Sequence, residues 1–352
     1  MKTVRNILTI ILTASILIAC NRQKCSDKCI EIKTISNFLN STPELKKIVN
    51  SIEKGNRVES SHIGYAGSPS SQWKRYEQLK KIATSDQLVA LTEHKNPAVR
   101  CYAFQALAAS HSDKTFEVLL KHLNDTTVVE TQFGCIVTEI LTGDYFIDVL
   151  TPDYIETDVY KLNTTERIFL DSILINDKSI KLFAKSIVLK YLGPTVENYV
   201  RIRQLVSEER DEFALQTLAK YKKQTDRELI ASFFKNDDTQ FSAISAVREF
   251  PDDYFYPFVK KVFEQEWEKE RYDYDKWKKC YQALANYPSI ETLELFDKTV
   301  KCKDKFRYNT LCTYLLVAIT KYQNKLYEPI KASIKLDEFR MRKVNEEIEN
   351  NY

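Results

Sequence analysis

Glycine is scarce in this sequence, with six among 352 residues, and proline numbers only nine. That poverty argues against collagen-like and disordered chains and against a turn-rich β-sandwich, and it suits long helices joined by short turns. The apolar run Ile7 to Ile18 holds 12 residues, short of the roughly 20 that a bilayer-spanning helix needs. A basic excess is missing as well: without Lys2 and Arg5, which lie in an expected leader, 50 basic residues face 49 acidic ones. A chain that neutralised several phosphates would show a basic stripe, so nucleic acid is not an expected partner. The four histidines, His62, His94, His111 and His122, form no H-x3-H pair on one helix face, as a zinc site of that kind requires, and are assigned to turns and surface. Carboxylates occur everywhere, so choosing two as acid and base would be arbitrary. No catalytic residue, metal ligand or cofactor is assigned, and the chain is not read as an enzyme.

What is present begins with targeting. Met1 to Arg5 is a short basic region, the apolar run follows, and Leu17-Ile18-Ala19-Cys20 closes it. This order fits a secretory signal, and the last four residues resemble the bacterial lipobox, whose cysteine is diacylated and becomes the first residue of the mature protein. The resemblance implies that residues 1–19 are a lipoprotein signal peptide and that Cys20 carries the lipid, holding a soluble folded part at a membrane surface of the cell envelope. Asn21 is not the aspartate that resembles an inner-membrane retention signal, which points to the outer membrane. Residues 20–40 read as a flexible tether. Cys25 and Cys29 cannot complete a tetrahedral metal site by themselves, and export favours a disulfide, between them or to another chain.

Residues 41–71 read as an N-terminal capping helix and loop. Thr42-Pro43-Glu44 offers a capping hydroxyl, proline at the first helical position and an acid in the first turn. Leu45, Ile48, Val49 and Ile52 follow at helical spacing, and Gly55 supplies a stop. The stretch to Ser71 holds Gly64-Tyr65-Ala66-Gly67-Ser68. Its backbone amides could meet an anion at the next helix start, or the stretch is a surface loop that caps the array. Tyr65 and Gly67 are its candidate binding residues.

From Gln72 the pattern is helical. Lys95-Asn96-Pro97-Ala98-Val99-Arg100-Cys101-Tyr102-Ala103-Phe104-Gln105-Ala106-Leu107 opens with a turn and proline, buries a stripe through Val99, Tyr102, Ala103, Ala106 and Leu107, and leaves Arg100 to pair with a neighbouring acid or carbonyl. Asn96, Pro97, Val99, Arg100, Ala103, Ala106 and Leu107 resemble the HEAT-repeat family, including the HEAT-like repeats of phycobilin lyases, in which Asp/Asn-x-x-Val-Arg precedes Ala-x-x-Ala-Leu. Weaker copies align downstream: from Asn124-Asp125 to Gly134 and Cys135; from Asn176-Asp177 to Ser186 and Ile187; from Ser207-Glu208 to Ala214, Thr217 and Leu218; from Asn236-Asp237 to Ala243, Ala246 and Val247; then Cys280, Ala283 and Leu284, and Leu315, Ala318 and Ile319. The resemblance implies an all-α fold, an α-solenoid of about seven HEAT-like helical hairpin repeats over residues 72–337, followed by a charged C-terminal tail, 338–352. It carries over no catalytic residue from the lyases.

Three stretches depart from the repeat: the loop at 55–71, an insertion at 143–163 rich in Tyr145, Phe146, Tyr154 and Tyr160, and an aromatic segment at 251–287. Core packing is the default for that last segment, yet Tyr and Trp also suit interfaces, and Trp267, Tyr272 and Trp277 are its binding candidates. Cys280 and Cys312 read as either a disulfide or close-packed thiols. The expected function is a membrane-anchored lipoprotein scaffold that binds an envelope protein through a concave helical surface; the alternative is a glycan- or peptide-binding lipoprotein using 251–287.

Overall fold

The computed structural model describes residues 35, 37–154, 156, 158–269 and 273–349. The signal peptide, Cys20, Cys25, Cys29 and Tyr272 lie outside the described residues. The chain is mostly helical, as its composition implied, but it also carries a small four-stranded sheet. It divides into two compact units, Met1–Lys185 and Ser186–Tyr352.

In the first unit, α1 (Pro43–Gly55) buries Leu45, Ile48, Val49 and Ile52, and Asn56 ends it in the left-handed conformation. The chain then departs from the expected loop: β1 (Arg57–Ile63) turns at Gly64 and Gly67 into β2 (Ser68–Pro69). Ser70 caps α2 (Ser71–Ile82), and a capping box of Thr84 and Gln87 starts α3 (Ser85–Leu91). Asn96 then opens α4 (Pro97–Ala109), its side-chain oxygen accepting the Val99 amide at 3.1 Å. Every residue of α4 from Ala98 to Ala108 is buried, because α1, α2, α3, β1 and β3 all pack around it. A helix covered on all sides can use small and apolar residues at every position, and the alanines allow that close approach.

After α5 (Thr115–Lys121), the expected second repeat helix is replaced by a hairpin, β3 (Val128–Gly134) and β4 (Ile136–Leu141). Gly134 and Cys135, expected inside a helix, form its tip, with Gly134 at φ +60°. The β-branched, alternating character of residues 128–141 outweighed the helical alignment. The sheet order is β2-β1-β3-β4, with β1 parallel to β3 and the other pairs antiparallel. The hairpin closes on itself: the Thr142 amide and hydroxyl both donate to the Thr127 carbonyl at 2.9 Å. Beyond it α6 (Thr142–Val149) packs against α4. Gly143 is required there, since a Cβ would stand 2.8 Å from the His122 carbonyl. The unit ends with α7 (Thr164–Asn176) and the start of α8 (Phe183–Tyr191).

In the second unit the described helices include α9 (Val196–Glu208), α10 (Glu212–Lys220), α11 (Arg227–Ala231), α12 (Asp237–Glu249), α13 (Tyr256–Trp267), α14 (Tyr274–Leu284), α15 (Ile290–Val300), α16 (Lys305–Lys321), α17 (Glu328–Ser333) and α18 (Glu338–Glu349). Helices α10, α12, α14, α16 and α18 each pack on the next in that row, while α9, α13 and α15 pack against the members α10, α14 and α16. Asp211, Asn236, Asp273 and Asp304 cap members of the row with their side chains. The expected stripe residues Ala214, Thr217, Leu218, Ala243, Ala246, Val247, Cys280, Ala283, Leu284, Leu315, Ala318 and Ile319 are all buried. Ile187 is not: α8 turns it outward, 41% exposed, and buries Val188 and Leu189 in its place.

Candidate functional site

The first unit holds a cavity of about 400 Å³ lined by Thr131 and Phe133 of β3, Thr138 and Ile140 of β4, Tyr145 and Asp148 of α6, and Thr151, Asp153 and Tyr154 beyond it. Strand geometry explains the first four. Thr131 faces Thr138 across the ladder, with Phe133 opposite Ile136 and Val129 opposite Ile140, so alternate residues of both strands share one face. Tyr145 and Asp148 stand three residues apart on α6 and so project from one side of the helix.

The far wall is held by a hydrogen-bond chain whose direction can be followed atom by atom. The Gln105 Nε2 group donates to Glu156 Oε2 at 2.9 Å, which leaves Gln105 Oε1 to accept from the Tyr145 hydroxyl at 2.8 Å. Tyr145 has one proton and spends it there. The contact of 2.8 Å between the Tyr145 and Tyr154 hydroxyls is therefore donated by Tyr154. Glu156 also accepts from the Tyr76 hydroxyl at 2.6 Å and lies 2.9 Å from Lys80 Nζ, which fixes the segment after α6 to α2 and α4. Burial pushes the Tyr76, Tyr145 and Tyr154 hydroxyls above the ordinary tyrosine range, so all three stay protonated. Lys161 Nζ donates to the carbonyls of Thr151 at 2.7 Å and Val149 at 3.3 Å, placing a cation at the C-terminal end of α6.

Asp148 is the exception in this wall. It lines the cavity as an exposed residue, and no described side chain pairs with its carboxylate. Partial desolvation, followed by the nearby charge of Asp144, pushes its pKa up to about 6. Asp144 itself receives the amides of Phe183 at 2.9 Å and Ala184 at 2.8 Å.

A second charged group lies at the turns around α4. Arg100 Nε and Asp125 Oδ2 are 2.9 Å apart, and Arg100 Nη1 donates to the His94 carbonyl at 2.8 Å, as the motif implied. His122, expected at the surface or in a turn, is buried between Glu93 at 3.1 Å and Asp125 at 3.6 Å. Burial opposes its charged form, but the two carboxylates outweigh burial and raise its pKa. The cluster is internally compensated and joins α3, α4 and the end of α5. Among the described residues no group of three or more histidines, cysteines and acids is placed to hold a metal ion.

The sequence-derived candidates fall elsewhere. Tyr65 is fully exposed at the β1–β2 turn. The Gly67 amide there donates to the Gly64 carbonyl, and the Gly64 amide donates to the Gly134 carbonyl. Those two amides are thus engaged within the protein. Trp277 is completely buried, edge-on to Phe263 and stacked with Tyr281, so it is a core residue rather than a binding residue. Trp267 is half-buried beneath the Arg307 guanidinium, 4.2 Å from its ring. Cys280 and Cys312 are free buried thiols, which settles the pairing alternative. Asp148 escaped sequence reasoning altogether, although Tyr145 and Tyr154 stood in the stretch set apart as an insertion. The missed signal was the alternation from Val128 to Leu141 around Gly134.

No protein-family model matches the chain, and no curated protein or solved structure is significantly similar to it. Fold and site together define a mostly helical protein with a small mixed sheet and a recessed cavity beside the sheet's edge strand. No described helix is long and apolar enough to cross a membrane.

Proposed function

We propose that the protein is a lipid-anchored scaffold of the bacterial cell envelope, held at the outer membrane through Cys20, with HEAT-like helical hairpins as its framework and an extended segment of a protein partner as its ligand. The alternating row α10, α12, α14, α16 and α18 supports the solenoid reading. In the first unit the same reading treats residues 128–141 as an insertion: with the hairpin removed, Asn124 to Thr127 runs into Thr142, and Phe146 takes the place of Phe104 in the motif.

One observation carries the binding reading. β4 is the edge strand, with nothing paired along its outer side among the described residues, and its Ile136 and Val137 are 66% and 51% exposed. An open edge bearing apolar side chains is a template for strand addition. The burial of Trp277 removes one support from the glycan alternative.

A photo-crosslinker placed at Ile136, in intact cells, tests the proposal. Protein adducts that vanish in a Val137→Pro variant are expected; adducts unchanged by the proline would reject the edge. Fatty-acid labelling that persists in Cys20→Ala would reject the anchor.

A further inference from the structure

The hydroxyl protons around the cavity are largely spent on protein acceptors. Tyr154 donates to Tyr145, Tyr145 to Gln105, Thr131 to the Thr138 carbonyl at 3.2 Å, and Thr151 to the Asp148 carbonyl at 2.7 Å. Thr138 reaches only the Glu139 carbonyl, at 3.5 Å. No lysine, arginine or histidine lines the space, although Lys161 Nζ, bound to the Thr151 and Val149 carbonyls, stands 5.6 Å from the centroid of the Tyr154 ring. The lining is mostly apolar and includes two exposed acids, Asp148 and Asp153, and three aromatic residues, Phe133, Tyr145 and Tyr154. Such a wall offers acceptors and π-faces but few donors. An anion or a carbonyl ligand would find almost nothing to bind it. An ammonium or guanidinium group, which carries donors and no acceptor, fits both features.

We infer that this cavity receives an organic cation, an alkylammonium or guanidinium group, seated on the Asp148 carboxylate beside the aromatic residues Phe133 and Tyr145. The volume, about 400 Å³, lies within the range of small-ligand sites. Two sources can supply the group. One is a free amine. The other is a lysine or arginine side chain of the partner segment: Thr138 and Ile140 face the cavity, so a strand added outside β4 places every second side chain over it. The side-chain source rests on the strand-addition reading; the free amine does not.

Calorimetric titration of the full chain separates these cases. The probes are n-butylammonium, methylguanidinium, and two extended peptides identical except for a central lysine or norleucine. Asp148→Asn is expected to weaken the productive probe about tenfold or more, the loss of one charge-assisted contact. Asp148→Glu, which keeps the charge, retains most of the binding, and melting curves confirm that both variants fold. Binding of the lysine peptide but not the norleucine peptide assigns a side chain, and binding of a free cation alone assigns a small molecule and rejects strand addition. Equal binding of both peptides leaves strand addition standing and overturns the cation site. So does the absence of binding by every cationic probe, or binding indifferent to Asp148→Asn.

Discussion

The rings of Phe104 and Phe146 lie face to face, their centroids 4.0 Å apart and their planes within 8° of parallel. Phe104 belongs to the central helix α4, and Phe146 to α6, beyond the hairpin. The stack is thus the contact that returns the chain to the core after its detour. Both rings are fully buried, so Phe146→Ala is expected to cost about 3–5 kcal/mol through lost burial and an unfilled cavity. Denaturant unfolding measures it; a cost below about 1 kcal/mol would show that α6 does not depend on this contact.

The cluster of Glu93, Arg100, His122 and Asp125 predicts a pH window. Burial acts against the Asp125 carboxylate, but His122, Arg100 and Thr127 bring its pKa down to about 2. Its stabilising contribution is present above the unfolded value near 4 and is lost as pH falls toward 2. His122 is raised, so its contribution is complete below the unfolded value near 6.5 and fades as pH rises through the higher folded value. The cluster therefore contributes most between about pH 4 and 6.5. Removing Asp125 leaves the buried Arg100 without its carboxylate and His122 with Glu93 alone, so Asp125→Ala is expected to cost about 3 kcal/mol at pH 5. An Arg100→Met, Asp125→Leu double variant is expected to cost less than that single change. Melting temperatures across pH check both statements.

Asp148 predicts the opposite sign. A carboxyl whose folded pKa stands near 6 stabilises below its unfolded value and loses that contribution as pH rises through 6. At pH 7 the unliganded protein therefore carries a cost. Asp144 on the same helix adds to it, Asp153 is a second acid in the cavity lining, and Lys161 is engaged by the carbonyls of Val149 and Thr151. Discounted for solvent access, the cost is about 0.5 kcal/mol, and Asp148→Asn is expected to raise the melting temperature at pH 7 by roughly 1–2 °C. Carbon-detected NMR titration should place the Asp148 midpoint near 6, and cation binding should fall below that pH.

Lys279 gives a chemical test in the second unit. Burial, then Arg248, Lys190 and Lys278, lower its ammonium pKa to about 8. An amine that is half deprotonated near pH 8 acylates ahead of ordinary lysines. Mass spectrometry after brief treatment with an activated ester should find Lys279 modified earlier than Lys47 or Lys235, and Arg248→Met should slow it.

Much of the helical framework could be read from the residues. Proline at the start of α1 and α4, and the asparagine before α4 and α12, mark chain direction changes by local chemistry alone. The stripe from Ala214 to Ile319 was legible because small residues recur where helices approach closely. The hairpin was not, since Asn124-Asp125 does begin a turn and the repeat template then carried the helix reading across Val128 to Leu141. Asp148 stayed hidden for a different reason: an aspartate on a short helix has no sequence mark until the opposing sheet face is in place. Trp277 misled because aromatic residues spaced along α14 serve a core as well as an interface.

The join between Leu141 and Thr142 has a mechanical consequence. β4 passes into α6 with no residue between them, and Asp148 lies roughly 9 Å further along that helix. A load applied along β4 is delivered to α6 as a pull on its first turn, where the two bonds to the Thr127 carbonyl act as the pivot. Strand, pivot and the cavity-lining helix thus form one continuous stretch of backbone, with no loop between them to absorb a displacement of β4.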